Sequence, residues 1–401
     1  MTTYYFVQPL DVLMIRGNKS FGGAGQHGEA VMPPWPSLFA GAFRSALLGK
    51  DAVQLARFAN GEKLPGALGD ILGTNVEPGS FAINWLSLAR SVAAEAAPAT
   101  SRVAETSSIA HVSAATPLPA DLVAFDDAKA LLVALQPATP PAGSAAAGEL
   151  PLSALLRVAK QIKPESGRWL DDAGLTAHLA GALPASTLKT TDLFQRETRL
   201  GIALDSGSRT AEDGALYTTE AVAFNSAFNT ATGFLVGIEG HDGLLPADGL
   251  LRLGGDGKGA TYKRIDFAAP AAPMGDIAAN HRFRLILATP GIFTGGWLPD
   301  GVTRQGEHDF RLQGDGFSAR LACAAVPRFD IVSGWDLALQ QPKTAQRVAP
   351  AGSVYWFDQL EGDAGKLAAC VAGGLWGDNH DKQRRAEGFN RAWLGHWKET
   401  Q

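Results

Sequence analysis

Two adjacent prolines, Pro33 and Pro34, set the tightest limit on how the N-terminal part of this chain folds. They follow the run Gly23-Ala24-Gly25-Gln26-His27-Gly28, which has the G-x-G-x-x-G spacing of a dinucleotide-binding turn. Such a turn requires a strand running straight into the glycines and a helix starting at the last of them, so that the helix N-terminus meets the pyrophosphate. Fifteen residues lie between the preceding strand signal, TYYFV over residues 3–7, and Gly23. Proline lacks an amide hydrogen and clashes with the preceding turn, so no helix grows from Gly28 through Pro33 and Pro34. The glycines therefore serve a close backbone approach to something other than a dinucleotide.

Beyond this loop the pattern is mixed. SLFAGAFRSALLG reads as a helix capped by Ser37 and stopped by Gly49. FAINWLSL over 81–88 reads as a strand. From 93 to 150 the composition shifts to Ala, Pro, Ser and Thr, which predicts an insertion with short strands at LVAF and LLVAL. Residues 152–183 alternate helix signals with polar turns. LFQRETRLGIALDSGSRTAEDGALYTTEAVAF has alternating flanks and a Gly/Ser/Asp middle, a long hairpin with a mobile tip. Later strands are expected at FLVGIEG, FRLILATPGIF and SVYWFDQL, and helices at 364–372 and 383–394. Strands and helices follow no regular βαβα rhythm, which predicts an α+β fold rather than a doubly wound sheet. With 401 residues, two domains are expected.

The formal net charge of −5 argues mildly against a free-standing nucleic-acid binder, yet it leaves room for a local basic groove. Two cysteines, Cys323 and Cys370, form no CxxC pair, so neither a disulfide framework nor a zinc site is indicated. The eight histidines show no metal-ligand spacing. No apolar run approaches the roughly 20 residues that span a bilayer, and the start has no signal-peptide pattern; a cytoplasmic protein without cofactor is expected. LRLGGDGKGATYKR over 251–264 lacks the P-loop spacing. It reads either as a phosphate-cradling loop beside lysines or as a hairpin turn with solvated lysines. DKQRRAEGFNRAWLGHW over 381–397 interleaves cations with Phe389, Trp393 and Trp397, suited to RNA; the same spacing also suits one core-facing helix side. His27, in a glycine loop near Arg16 and Lys19, is a candidate general acid or base.

Several stretches together resemble the third Cmr subunit family of type III-B CRISPR effector complexes, within the RAMP superfamily. They are PLDVLMIRG through the Pro-rich turn to GAFRSALL, ATPLPADLVAF, ETRLGIALDSGSRTAEDGALYTTE, LRLGGDGKGA, LATPGIFTGGWLP, VSGWD, PKTAQRVAPAGSVYWF and EGFNRAWLGHW. They run in order over nearly the whole chain; the part near 93–150 matches poorly, and Asn390 stands where a glycine is often found. The resemblance implies two ferredoxin-like (RRM-like) domains, expected at 1–225 and 226–401. It implies a non-catalytic subunit that grips the 5′ tag of the CRISPR RNA. It further implies contacts with the large polymerase-like subunit and the first backbone subunit, and with target RNA only indirectly, without a membrane. The RNA contacts expected on this basis are Arg16, Gly17, Asn18, Lys19, Gly23, Gly25, His27, Arg44, Arg196, Arg199, Arg209, Lys258 and Lys263. Two other readings stand beside it. One is a metal-independent endoribonuclease of the same superfamily that processes precursor RNA through His27. The other is an assembly scaffold that touches no RNA.

Overall fold

The computed structural model describes residues 1–15, 17, 27–49, 51–93, 109–125, 132–141, 148–158, 163–205, 207–227, 229–336, 341–378 and 380–398. Two large antiparallel sheets dominate it, and the fold is mixed α+β as expected. The first sheet runs, edge to edge, through Leu188–Lys189, Arg168–Leu170, Ile109–Pro117, Ala82–Ala93, Thr230–Glu239, β1 (Thr3–Pro9), Gly259–Ile265 and Asp248–Arg252. It therefore continues past the expected domain border at 225, up to Ile265. The second sheet runs through Val302–Arg304, Phe310–Gly314, Phe317–Ala325, Val354–Gly362, Phe283–Leu287 and Ala392–His396.

The two-residue alternation of strand side chains explains how these sheets stack. In β1, Tyr5 and Val7 face one side and pack with Phe39 and Phe43 of α1 (Pro36–Leu48) and Ile71 and Leu72 of α3 (Gly66–Leu72). Phe6, between them, faces the other side and joins Trp85, Ala89 and Leu235. That inner face meets Ile286, Cys323, Val354 and Trp356 of the second sheet. On its outer face the second sheet places Phe283, Leu285 and Phe357 under Ile277, Leu367 and Val371 of the helices Met274–Asn280 and Ala364–Ala372. The two sheets thus share one apolar layer, with helices outside each.

A charged cluster is sealed into this layer. Asp121, from the first sheet's side, is 1% exposed, His178 2% and Arg284 6%. Arg284 Nη1 donates to Asp121 Oδ2, its Nη2 to the His178 carbonyl, and its Nε to the His396 carbonyl at 3.2 Å. His178 Nε2 lies 3.1 Å from Asp121 Oδ1. Burial opposes ionisation of Asp121, but the adjoining His178 and Arg284 outweigh it and hold the carboxyl below its ordinary value. Burial pulls His178 below its ordinary value against the attraction of Asp121.

Two local expectations are corrected. The helix foreseen at 383–394 ends at Glu387. Gly388 adopts φ +95, and a Cβ there would lie 2.8 Å from the Ile83 carbonyl oxygen. The chain then enters the strand Ala392–His396, paired to Phe283–Leu287. Phe389, Trp393 and Trp397 therefore share no helix face: Phe389 is fully buried, Trp393 packs on Trp85 with centroids 5.5 Å apart, and Trp397 lies under Arg282. Asn390 takes the left-handed conformation, φ 57, that an amide side chain tolerates better than most. Its side chain bridges Ile292 and the Leu375 carbonyl. The second correction is at α1, where the cap is Trp35 rather than Ser37, and Pro36 occupies the first turn, where its missing N–H costs nothing.

Replacing Asp121 with Ala leaves a guanidinium buried without its counter-ion and should cost about 3–5 kcal/mol of stability, read as a lowered urea midpoint. The folded Asp121 value is depressed, so its contribution is full above about pH 4, the unfolded value, and fades as pH falls through the folded one. The folded His178 value is depressed as well, so the unfolded chain protonates first and stability falls below about pH 6.5. The urea midpoint of the native chain should therefore drop between about pH 7 and pH 5; an unchanged midpoint would show that this cluster does not titrate on unfolding.

Candidate nucleic-acid interface

The loop between β1 and α1 does not hang free at its ends. Leu13 and Val222 exchange both backbone hydrogen bonds, at 2.8 and 2.9 Å, and both side chains are fully buried. Val31 N–H donates to the Ile15 carbonyl and Gly17 N–H to the Glu29 carbonyl, so the outgoing and returning arms of the loop lie side by side. At Gly17 an added Cβ would press on Val31 Cγ2 at 3.0 Å. On the return, His27 and Gly28 pair in parallel with Thr218 and Thr219. Arg16, Asn18, Lys19, Gly23 and Gly25 lie outside the described residues.

The partner of this loop is the predicted hairpin. Its strands are Phe194–Leu204 and Ala211–Phe224, with Arg199 opposite Thr219 and Ile202 opposite Leu216. Asp205 builds its tip: the carboxylate accepts from the N–H groups of Gly207 and Ser208 at 3.1 and 2.7 Å, and Arg209 turns with φ 57. Glu220 is the hub at the hairpin base. It accepts from Arg196 Nη1 at 3.0 Å and from the Ala30 N–H at 3.0 Å. It also lies 3.5 Å from His27 Nε2, while His27 Nδ1 contacts Thr218 Oγ1 at 2.9 Å. Partial burial works against ionisation of Glu220, but the Ala30 N–H and Arg196 prevail and keep its carboxyl below the ordinary value.

The turn after Asp248–Arg252 reaches the same loop from the other side. Leu253 N–H donates to the Lys258 carbonyl, and Gly255 N–H to the Met14 carbonyl at 2.8 Å. Gly254 has φ +81, and a Cβ there would come within 2.6 Å of that same oxygen, so only glycine allows this docking. Lys258 forms an ion pair with Asp11; this contact and the Val12 N–H hold the Asp11 carboxyl below its usual range. Arg199 lies close enough to Asp11 to act on it as well. Residues 251–264 form a hairpin, with Arg252 opposite Gly259 and Lys258 ion-paired at its turn rather than solvated.

Loop 10–31, the hairpin and the turn 253–258 are thus brought together, with His27, Arg196, Arg199 and Lys258 among them. Two expected contacts are not. Lys263 is aligned with Phe6 in the sheet register, on the face opposite the loop, beside a hollow also lined by Gln8 and Asp248. Arg44 sits on the far side of α1, against Gln383 and the Phe81 ring. Sequence reasoning passed over Glu220 and Thr218, although their alternation with Leu216 in a predicted strand already placed the three on one side. It also passed over the exposed apolar row Leu200, Ile202, Leu204 and Leu216, 42–72% exposed, which is unusual on a two-stranded ribbon. Among the described residues, no three His, Cys, Asp or Glu side chains converge as metal ligands, and no helix is long and apolar enough to cross a membrane.

Among solved structures, the chain is similar to one from a cryo-EM structure of the type III-B Cmr-beta complex bound to cognate target RNA, at 13% identity and TM-score 0.48, covering 97% of this chain and 96% of that one. It is similar to another from that complex bound to cognate target RNA and AMPPnP, at 14% identity and TM-score 0.46, covering 88% and 86%. A chain of the apo Cmr-beta structure aligns at 11% identity and TM-score 0.27, over 66% of this chain and 98% of that one. No curated protein matches. The family described as CRISPR-associated protein (Cas_Cmr3) matches residues 5–397. With that match running from Tyr5 to Trp397, the chain belongs to the CRISPR-associated protein (Cas_Cmr3) family.

Proposed function

We propose that this subunit grips the 5′ tag of the CRISPR RNA where loop 10–31, the hairpin and the turn 253–258 meet, and that it does so without catalysing a reaction. The observation that carries this reading is the meeting of three cation-bearing segments that are far apart in sequence. Single-stranded RNA offers phosphates to cations and unstacked bases to apolar or planar groups. Arg196, Arg199, Arg209 and Lys258 supply the first, and the row from Leu200 to Leu216, on the ribbon face that Arg196 shares and Arg199 does not, supplies apolar contact for the second. The acidic total charge is compatible with this, because an assembly subunit needs one basic face and is free to be acidic elsewhere. The same reading includes docking onto the large polymerase-like subunit and the first backbone subunit. It treats the two sheets, with their helices, as two ferredoxin-like domains enlarged by extra strands.

The endoribonuclease alternative needs His27 to present a ring nitrogen to a scissile phosphate or ribose hydroxyl. Both nitrogens already face intramolecular partners, Thr218 and Glu220, which favours a positioning role for His27.

Sequencing the RNA carried by the assembled complex should yield short species with one shared 5′ sequence; a complex without such RNA rules the reading out. Arg199→Ala should weaken binding of that RNA by about 1.5–3 kcal/mol, the range for a hydrogen bond to a charged group. If it removes a phosphate contact, the salt-dependence slope should fall by about 0.7. Glu220→Ala should free the returning arm of the loop, seen as faster amide exchange at Gly28 and Ala30 with the exchange of the Tyr5–Val7 core unchanged. Unaltered exchange there would mean that Glu220 does not anchor the loop.

A further inference from the structure

A cleft of about 810 Å³ opens on the side of α1 away from the RNA-facing loop. Leu55 and Phe58 of α2 (Ala52–Ala59) and Val76 form one wall; Trp335 and Pro342 face them. α2 is amphipathic by sequence, yet none of its residues is buried. Val76 is 69% exposed and Trp335 54%. Apolar side chains left facing water on two sides of one groove mark a surface that another molecule covers.

The floor of the cleft carries Arg44. Its Nη1 donates to Gln383 Oε1 at 3.1 Å, while Nε and Nη2 are buried with no acceptor. Those two nitrogens form one edge of the planar guanidinium, the fork that meets both oxygens of an oxyanion. Burial without an acceptor lowers the Arg44 pKa, against the attraction of Glu387. The other charges around the cleft are already matched. Glu387 holds Arg384 and Lys343, each at 3.0 Å, and Asp381 caps the helix Lys382–Glu387 through the Arg384 N–H.

Phosphate or carboxylate would satisfy the Arg44 fork equally, but the walls distinguish their carriers. A groove for a nucleic-acid strand has a surplus of cations. Here three cations, Arg44, Lys343 and Arg384, stand against three carboxylates, Asp336, Asp381 and Glu387, between apolar walls. We propose that this cleft receives a polypeptide segment of another effector subunit, in which an Asp or Glu flanked by large apolar side chains places its carboxylate on Arg44. The inference deepens the docking part of the function proposed above and rests on it. In the free chain the Nε and Nη2 groups lie beneath the cleft surface, so the carboxylate meets them after the Arg44 side chain rotates away from Gln383 and the Phe81 ring.

The test uses the complete effector complex with photoreactive benzoylphenylalanine at position 55 or 335, both on the surface. Irradiation should join both positions to one acidic, apolar segment of another subunit. Val76→Glu, an exposed change that leaves the core intact, should cut that crosslink about tenfold or more by setting like charges together; Arg44→Met should do the same by removing the fork. Crosslinks to RNA, to a segment without a carboxylate, or to nothing would overturn the proposal, as would a yield unmoved by Val76→Glu. RNA content is measured in the same sample, so failure of the tag-binding reading registers separately from failure of this one.

Discussion

Asp121 is the fixed point between the two sheets. Its carboxylate comes from the turn that follows the first-sheet strand Ile109–Pro117 and is held by a guanidinium from the second sheet, in a layer closed to water. Apolar faces attract without direction, so Phe6, Trp85, Val354 and Trp356 by themselves favour contact more than one exact alignment. A buried charge is satisfied only where its partners stand. Arg284 meets Asp121, the His178 carbonyl and the His396 carbonyl together, and these come from separate parts of the chain.

Much of the fold was legible in the sequence because strands and helices were read from local periodicity. TYYFV, FAINWLSL, SVYWFDQL and the helix at 364–372 all stand where the pattern put them. What failed was the segment after Glu387. Its aromatics recur every four residues, a spacing shared by one helix face and one strand face, and the decision lay with a glycine at positive φ and a partner strand a hundred residues away. The reach of the first sheet to Ile265 was also hidden. Nothing local in the strands Thr230–Glu239 and Gly259–Ile265 announces that both flank β1.

The candidate interface was legible in its cations and glycines more than in its geometry. Gly254 was visible as a turn residue; that it must lie against the Met14 carbonyl was not. Glu220 was overlooked because a carboxylate is an unpromising group in a search for RNA contacts, yet it organises His27, Arg196 and the Ala30 amide at once. Arg44 shows how little charge alone says of surroundings: it stands away from the loop, among apolar walls and balanced charges.

The place of β1 in the first sheet carries a consequence for biosynthesis. Both of its neighbours come from residues beyond 229, so after β1 is made it has no pairing partner until more than two hundred further residues are translated. At about 5–20 residues per second, its aromatic edge waits on the order of ten to fifty seconds. Through that interval Tyr4, Tyr5 and Phe6 are open to chaperones and to neighbouring nascent chains, which makes translation speed a determinant of how much of this subunit matures.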